Sequence, residues 1–127
     1  VIDSMAEVRV VRTPRDIEIR TFNFAVRVMR LVTSLPRDTA GQVIARQLAR
    51  SGTSVGANVE EAQGSHSRAE FVRRMGIARS EAREAHYWLR IISEIGLVKP
   101  SRLSKIITES EEILKILTAI VEKSRKV

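Results

Sequence analysis

The sequence predicts an all-α protein, an up-down-up-down antiparallel bundle of four helices that forms a single domain. Apolar residues recur at alternating spacings of three and four along four long segments, which is typical of helices that bury one face. Short turns rich in proline, glycine and serine separate these segments, and short turns between long helices favour antiparallel neighbours. The chain of 127 residues suffices for one core, which must be aliphatic because only 4% of the residues are aromatic.

The first helix is predicted over residues 15–35. Pro14 and Asp16 suit its start, because proline fits the first turn and an acid there faces the positive end of the helix dipole. An apolar row with a seven-residue repeat begins at Ile17, and a second apolar row runs beside it. Pro36 is expected to end the helix. A helix that is apolar over most of its circumference should contact more than one neighbour.

The second helix is predicted over residues 39–63 and contains the stretch SGTSVGANVEEAQGS, which local propensity alone would make a loop. Each glycine inside a helix costs about 1 kcal/mol relative to alanine, so a helix here needs a compensating benefit. Gly52 and Gly56 continue a stripe of small residues, which would let another helix pack unusually close. A phosphate-binding loop is the alternative, but the glycine spacing and the missing lysine do not fit it.

The third helix is predicted over residues 67–95. It begins with a capping box formed by Ser67 and Glu70, and Gly96 is expected to end it. The last helix is predicted over residues 100–124. Residues 1–14 have few helix signals and are assigned to an N-terminal arm.

Several classes of function find no support in the composition. There is no cysteine, which excludes disulfides, iron–sulfur clusters and thiolate zinc sites. His66 and His86 are the only histidines, and neither belongs to a His-x-x-His or Glu-x-x-His pair that could hold a metal. If buried, Glu61 and Glu84 would have raised pKa values, but a structural role suits them better than catalysis. We therefore expect a protein that is not an enzyme and has no cofactor, metal or small-molecule substrate.

No apolar run reaches the roughly 18 residues that a membrane span needs, and no signal segment opens the chain. We therefore expect no membrane partner and a cytoplasmic location.

The net charge is +7, and it is carried mainly by arginine. Arginine suits phosphate because its planar fork makes bidentate contacts, although a GC-rich genome would enrich arginine equally well. Arginines recur at helical spacing in three helices, and these candidate nucleic-acid-binding residues are Arg20, Arg27, Arg30, Arg46, Arg50, Arg79, Arg83 and Arg90. They predict salt-dependent, weakly sequence-specific binding of RNA or DNA. Two alternatives stay open: pairing with acids such as Glu81 across subunits, or a scaffold or adaptor ring for a protein partner with incidental charge.

Polar residues also fall on rows that should face the core, notably Ser51 and Asn58 of the second helix. A buried asparagine needs a partner and can then select one helix register. The candidate partners are Ser80, Glu84 and Ser110. The third helix carries a second apolar strip, which predicts self-association because a monomeric bundle needs one apolar face per helix. This candidate oligomer interface consists of Ile77, Trp88, Ile91 and Ile95.

A resemblance to a known family is carried by SLP, by QLARSGTSVGANVEEAQG and by FVRRMGIARSEAREAHYWLRIISEIGL. From about residue 16 to 120, the chain resembles the four-helix bundle family named for proteins encoded in intervening sequences of bacterial 23S rRNA genes. The resemblance implies a homopentameric ring. It also implies a fold similar to the accessory variability determinants of diversity-generating retroelements, basic pentamers associated with nucleic acid and a reverse transcriptase. The family's characteristic polar positions fall on Ser54, Asn58, Glu61, Ser80 and Glu84.

Overall fold

The structure, a computed structural model, describes residues 14–125. These residues form four α-helices: α1 (Pro14–Thr33), α2 (Thr39–Gln63), α3 (Arg68–Ile95) and α4 (Pro100–Arg125). No strand occurs in this part of the chain, so the prediction of an all-α four-helix bundle is confirmed. The predicted N-terminal arm lies outside the described residues except for Pro14, which begins α1.

The first helix ends at Thr33, two residues earlier than predicted. The N–H groups of Ser34 and Leu35 donate to carbonyls three residues back, at 2.9 and 3.2 Å, which tightens the chain into a turn before the next helix. Asp38 caps α2, since its carboxylate accepts a hydrogen bond of 2.8 Å from the N–H of Gly41. The turn between α1 and α2 is therefore defined by local hydrogen bonds.

Both ends of α3 carry the signals that the sequence predicts. The hydroxyl of Ser67 accepts a hydrogen bond of 3.1 Å from the N–H of Glu70. The Glu70 carboxylate accepts from the N–H of His66 at 3.3 Å, so the reciprocal bond of the capping box falls one residue upstream. Gly96 ends the helix with φ of 73°, a left-handed conformation that glycine adopts without steric cost.

The glycines of α2 mark its close contact with α1. A Cβ atom added to Gly52 would lie 2.7 Å from a methyl carbon of Val28, and one added to Gly56 would lie 3.2 Å from the carbonyl oxygen of Thr21. Along α2 the contacts run from Gly52 to Gly56, whereas along α1 they run back from Val28 to Thr21, so the two helices are antiparallel. The prediction that this stretch is a close-packed helix is confirmed, and the alternative of a phosphate-binding loop is wrong.

The core is aliphatic, as the composition predicts, with one phenylalanine. Burying a large apolar side chain contributes about 1.5–3 kcal/mol. The largest fully buried side chains are Phe24, Leu48, Met75, Leu89, Ile92, Leu103, Ile113 and Leu117. Three buried hydroxyl residues, Thr21, Ser51 and Ser110, each donate a hydrogen bond to a carbonyl of their own helix, at 2.7, 2.8 and 2.7 Å. These hydroxyls are satisfied locally and do not link helices.

Within residues 14–125, no helix combines the length and the apolar character that a membrane crossing requires.

Candidate nucleic-acid interface

The polar network predicted between α2 and the neighbouring helices does not form. Of the six residues predicted to form its polar core, only Ser51 is buried; the six are Ser51, Ser54, Asn58, Glu61, Ser80 and Glu84. Asn58 is half-buried, its amide donates to the carbonyl of Ser54 at 2.9 Å, and its oxygen accepts from the Arg74 guanidinium at 3.4 Å. The asparagine is thus held by its own helix and by an arginine of α3, and none of the three partners predicted for it is used.

Two further members of that predicted network, Ser80 and Glu61, are exposed. Ser80 lies two residues from Ala78 and two from Ala82, both of which face the core. A step of two residues turns a helix by about 200°, so Ser80 points away from the core. Glu61 precedes the buried Ala62 and lies about 100° around the helix from it. Helical spacing alone had not identified which polar row of α3 faces inward.

Glu84 is half-buried, and its carboxylate accepts hydrogen bonds from the Arg50 guanidinium and, at 3.1 Å, from the Trp88 indole N–H. Arg50 also lies 3.2 Å from the carboxylate of Glu81. The hydrogen bond from Arg50, followed by that from Trp88, lowers the pKa of Glu84 below its ordinary value, although partial burial acts in the opposite direction. The expectation of a raised pKa is therefore wrong for Glu84, and Arg50 is already paired with carboxylates of its own chain.

Arg20 is neutralised in the same way on the other side of the bundle, in the α1–α4 seam, the line along which α1 and α4 meet. Its Nε donates to Glu109 at 2.8 Å, and its Nη2 donates to the other oxygen of Glu109 at 2.9 Å and also to Glu112. The bidentate bond to Glu109 is the main cause of the raised pKa of Arg20. This guanidinium stabilises the contact between α1 and α4.

The predicted arginine stripe on α3 divides into two kinds of residue. Arg79 is half-buried, and its Nη1 lies 3.7 Å from the carboxylate of Glu122 on α4. Arg83 and Arg90 are exposed, and the Arg90 guanidinium lies 5.8 Å from the centre of the Tyr87 ring. The stripe is therefore partly a structural contact between α3 and α4.

Five of the eight candidate arginines have no acidic partner among residues 14–125, and all five are exposed: Arg27, Arg30, Arg46, Arg83 and Arg90. Ion pairs within the chain hold Arg20, Arg50 and Arg79, and pairing of the other arginines across subunits stays a prediction. Phosphate contacts can thus be sought among these five arginines and the basic residues near them.

The net charge of the described chain lies at one end of the bundle, where α1 and α3 end and α2 and α4 begin. Residues 27–46 carry four arginines and one acid, Asp38, and residues 90–105 carry four basic side chains and one acid, Glu94. We call these two ranges together the basic end. The other described residues carry eleven basic and eleven acidic side chains, so the basic end accounts for the whole net charge of +6 on residues 14–125.

A groove of about 270 Å³ opens at the basic end between α1 and α4. Its lining combines three guanidinium groups, a hydroxyl and two aliphatic side chains: Arg27, Arg30, Leu31, Ser34, Arg102 and Ile106. No carboxylate lines this α1–α4 groove among residues 14–125. Arg102 is not among the arginines predicted from the sequence, because those form stripes on the first three helices only. Its place in the groove follows from the register of α4 against α1, in which Arg102 lies seven residues before Glu109, the partner of Arg20, and the sequence alone does not show that register.

Most of the residues predicted to form an oligomer interface on α3 are buried or half-buried within their own chain. Trp88 and Ile91 pack against the core, and Ile77 is half-buried. Only Ile95 is exposed, with 54% of its surface accessible. The second apolar strip of α3 therefore serves the fold of the single chain to a greater extent than expected.

A longer apolar surface lies on α1, on the side that faces away from the core. Ile19, Phe22 and Met29 are exposed, Phe22 to 57%, and the half-buried Val26 completes a row with spacings of three and four. We call these four residues the α1 outer stripe. The sequence indicated a second apolar row on this helix and contact with more than one neighbour, but the candidate interface residues were named on the third helix only.

Acidic and histidine side chains do not gather into a metal site in the part of the chain described, where no group of three or more such ligands is found. The closest approach to one is a pair, in which Nε2 of His86 lies 3.5 Å from the carboxylate of Glu111 on α4. Structural metals need about four protein ligands, so this pair is a contact between helices.

Fold and surface together define a class of protein: an antiparallel four-helix bundle with a basic end and an apolar outer face on its first helix. The family model described as 23S rRNA-intervening sequence protein matches residues 16–119, and the chain belongs to this family. A solved structure is also similar, with a TM-score of 0.80 and 34% identity, over 86% of this chain and 97% of that chain. It is a protein of unknown function from the S23 ribosomal protein family of Bacteroides thetaiotaomicron. No curated protein matches the chain.

Proposed function

We propose that this chain is a non-enzymatic, self-associating cytoplasmic protein that binds the phosphate backbone of RNA or DNA through its basic end. The observation that carries the proposal is the distribution of charge, because the whole net charge of the described residues lies at one end of an otherwise balanced bundle. A concentrated positive field of this kind attracts a polyanion and accelerates its association.

The ion pairs of the arginines also favour the basic end as the binding surface. Arg20 and Arg50 are held by carboxylates of their own chain, whereas Arg27, Arg30 and Arg102 have no acidic partner among the described residues. Aromatic side chains are scarce, with Tyr87 exposed near the basic end. Base stacking therefore contributes little, and backbone contacts with weak sequence preference are the expected mode of binding.

Self-association would multiply this field. The family resemblance implies a homopentamer, and five copies would present five basic ends. The α1 outer stripe supports contact with another helix, because exposed apolar rows with spacings of three and four are typical of helix–helix seams.

The test of nucleic-acid binding is a fluorescence anisotropy titration with labelled single-stranded RNA, single-stranded DNA and duplex DNA of equal length. We expect binding to all three at low salt. The logarithm of the association constant should fall linearly with the logarithm of salt concentration, by close to one unit of slope per phosphate contact, between about 50 and about 200 mM salt. The absence of binding at the low-salt limit would contradict the proposal.

A scaffold or adaptor ring for a protein partner is the second candidate function, and the α1 outer stripe is the observation that favours it. In either case, the stripe should contact a second copy of the chain. The double variant Phe22→Gln/Met29→Gln should then lower the mass measured by light scattering. Val43→Gln is the matched control, because Val43 is equally exposed but lies on α2. A wild-type monomer, or a double variant of unchanged mass, would contradict this role of the stripe.

A further inference from the structure

The α1–α4 seam has a seven-residue register that brings like charges together at the basic end. Arg20 of α1 contacts Glu109 of α4. One heptad further along α1 is Arg27, and one heptad back along the antiparallel α4 is Arg102. The register that places an arginine against a glutamate at one level therefore places two arginines together at the next, and both line the α1–α4 groove.

This arrangement leaves like charges side by side in the free protein without a counter-charge. Arg30 lines the same groove, so three guanidinium groups share it, and no carboxylate among residues 14–125 lines it to offset their repulsion. All three arginines are exposed, so they supply little of the apolar packing that could compensate. An anion in the groove would convert this repulsion into attraction.

We propose that the α1–α4 groove is a phosphate cradle, in which Arg27, Arg30 and Arg102 together hold the phosphate groups of a nucleic-acid strand. The inference rests on the proposed function and assigns its principal site. Guanidinium groups bind phosphate oxygens in pairs through parallel N–H donors, which gives this site both affinity and a defined orientation. The Ser34 hydroxyl already donates to the carbonyl of Leu31 at 2.7 Å, so the guanidinium groups are the donors available to a ligand.

The rest of the lining selects the backbone of the strand rather than its bases. Leu31 and Ile106 give the groove an aliphatic floor, and no aromatic ring lines it. A nucleobase would find neither a stacking surface nor a set of amide groups that could read its edge. The cradle should therefore bind RNA and DNA of any sequence with similar affinity.

The experiment compares two double variants that remove the same charge from the basic end. Arg27→Gln/Arg102→Gln empties the cradle of two guanidinium groups. Arg37→Gln/Arg46→Gln is the control, since these arginines are also exposed, lie at the basic end and are outside the groove. Affinity for a labelled RNA and a labelled duplex DNA is measured by anisotropy at several salt concentrations, with helicity and mass checked by circular dichroism and light scattering.

The cradle predicts unequal losses. The groove variant should lose roughly 10- to 100-fold in affinity at low salt, and its salt slope should fall by about two, one for each lost phosphate contact. The control should lose only a few-fold. Equal losses in the two variants would overturn the cradle and leave the proposed function standing, because a diffuse field depends only on total charge. A wild-type protein that binds no nucleic acid would overturn both.

A third variant distinguishes the effect of positive charge on affinity from the effect of the planar guanidinium geometry. Arg27→Lys/Arg102→Lys keeps both positive charges but replaces the planar forks with point charges. The cradle predicts that this variant keeps the salt slope of the wild type while its affinity falls to a level between those of the wild type and the glutamine variant. Wild-type affinity in the lysine variant would contradict bidentate phosphate contacts.

Discussion

The two sides of α1 are closed in different ways. Toward α2, Gly52 leaves so little space that an added Cβ would lie 2.7 Å from a methyl carbon of Val28, and both residues are buried. Toward α4, Arg20 binds Glu109 across the α1–α4 seam, and beyond it the α1–α4 groove opens. The contact with α2 is made by shape and leaves no open space, whereas the seam with α4 is made by charge and opens into a groove where the opposite charge is missing.

The largest effect on stability is expected on the α2 side. Gly52→Ala gains about 1 kcal/mol in helix propensity, but its methyl group would clash with the stiff, buried Val28. Overpacking costs about 1–3 kcal/mol, so we expect a net loss of up to about 2 kcal/mol in the free energy of unfolding. Urea unfolding at fixed protein concentration measures this change in unfolding free energy. The control is Gly76→Ala on α3, where an added Cβ meets nothing within 4 Å and a gain of about 0.5–1 kcal/mol is expected. A stabilised Gly52→Ala would contradict close packing.

A smaller loss is expected in the α1–α4 seam. Arg20→Gln leaves Glu109 and Glu112 without their cation, and both Arg20 and Glu109 are only about one-fifth exposed. We expect a loss of about 1 kcal/mol in unfolding free energy, with unchanged affinity for nucleic acid because this guanidinium is already occupied. Arg83→Gln removes an exposed arginine that has no acidic partner among the described residues, and it should leave stability unchanged. If Arg20→Gln lost affinity for nucleic acid and Arg83→Gln did not, the binding surface would lie around Arg20 and not in the α1–α4 groove.

The smallest effect is expected at the more exposed ion pair between Arg50 and Glu84. Because the pKa of Glu84 is lowered in the folded state, the stabilisation is fully present above the ordinary pKa of 4.5 and is lost as the pH falls through the folded-state value. Glu84→Gln should therefore be slightly less stable than the wild type at pH 7 and equal to it in strong acid. Glu60→Gln, an exposed acid of α2, is the neutral-pH control. A difference between wild type and Glu84→Gln that persists in acid would mean that the carboxylate charge is not its source.

The fold was largely predictable from the sequence, because helix packing depends on periodicity and on local signals. Ser67 and Gly96 mark the ends of α3, and Gly52 and Gly56 predict a close contact with another helix, which the structure shows to be α1. The end of α1 was placed two residues late, since Leu35 continues the apolar row although the backbone has already turned. Periodicity identifies a face of a helix, but it does not show where the last turn tightens.

The site was less predictable, because it depends on which charges meet across helices. Arg20 and Arg27 belong to the same helical row, yet one faces two carboxylates and the other lines a groove without any. Only the register of α4 against α1 distinguishes them, and a register between helices distant in sequence is not visible in the spacing of either helix alone. The same limitation led to the assignment of Ser80 to the core.

The most direct test of the account is a titration of the protein with an unlabelled oligonucleotide, followed through the side-chain Nε–H signals of its arginines by NMR. The account predicts that the signals of Arg27, Arg30 and Arg102 shift at low salt and return at high salt, while those of Arg20 and Arg50 stay in place because carboxylates already hold them. Uniform shifts of all arginines, or shifts confined to Arg20 and Arg50, would contradict a binding site in the groove at the basic end.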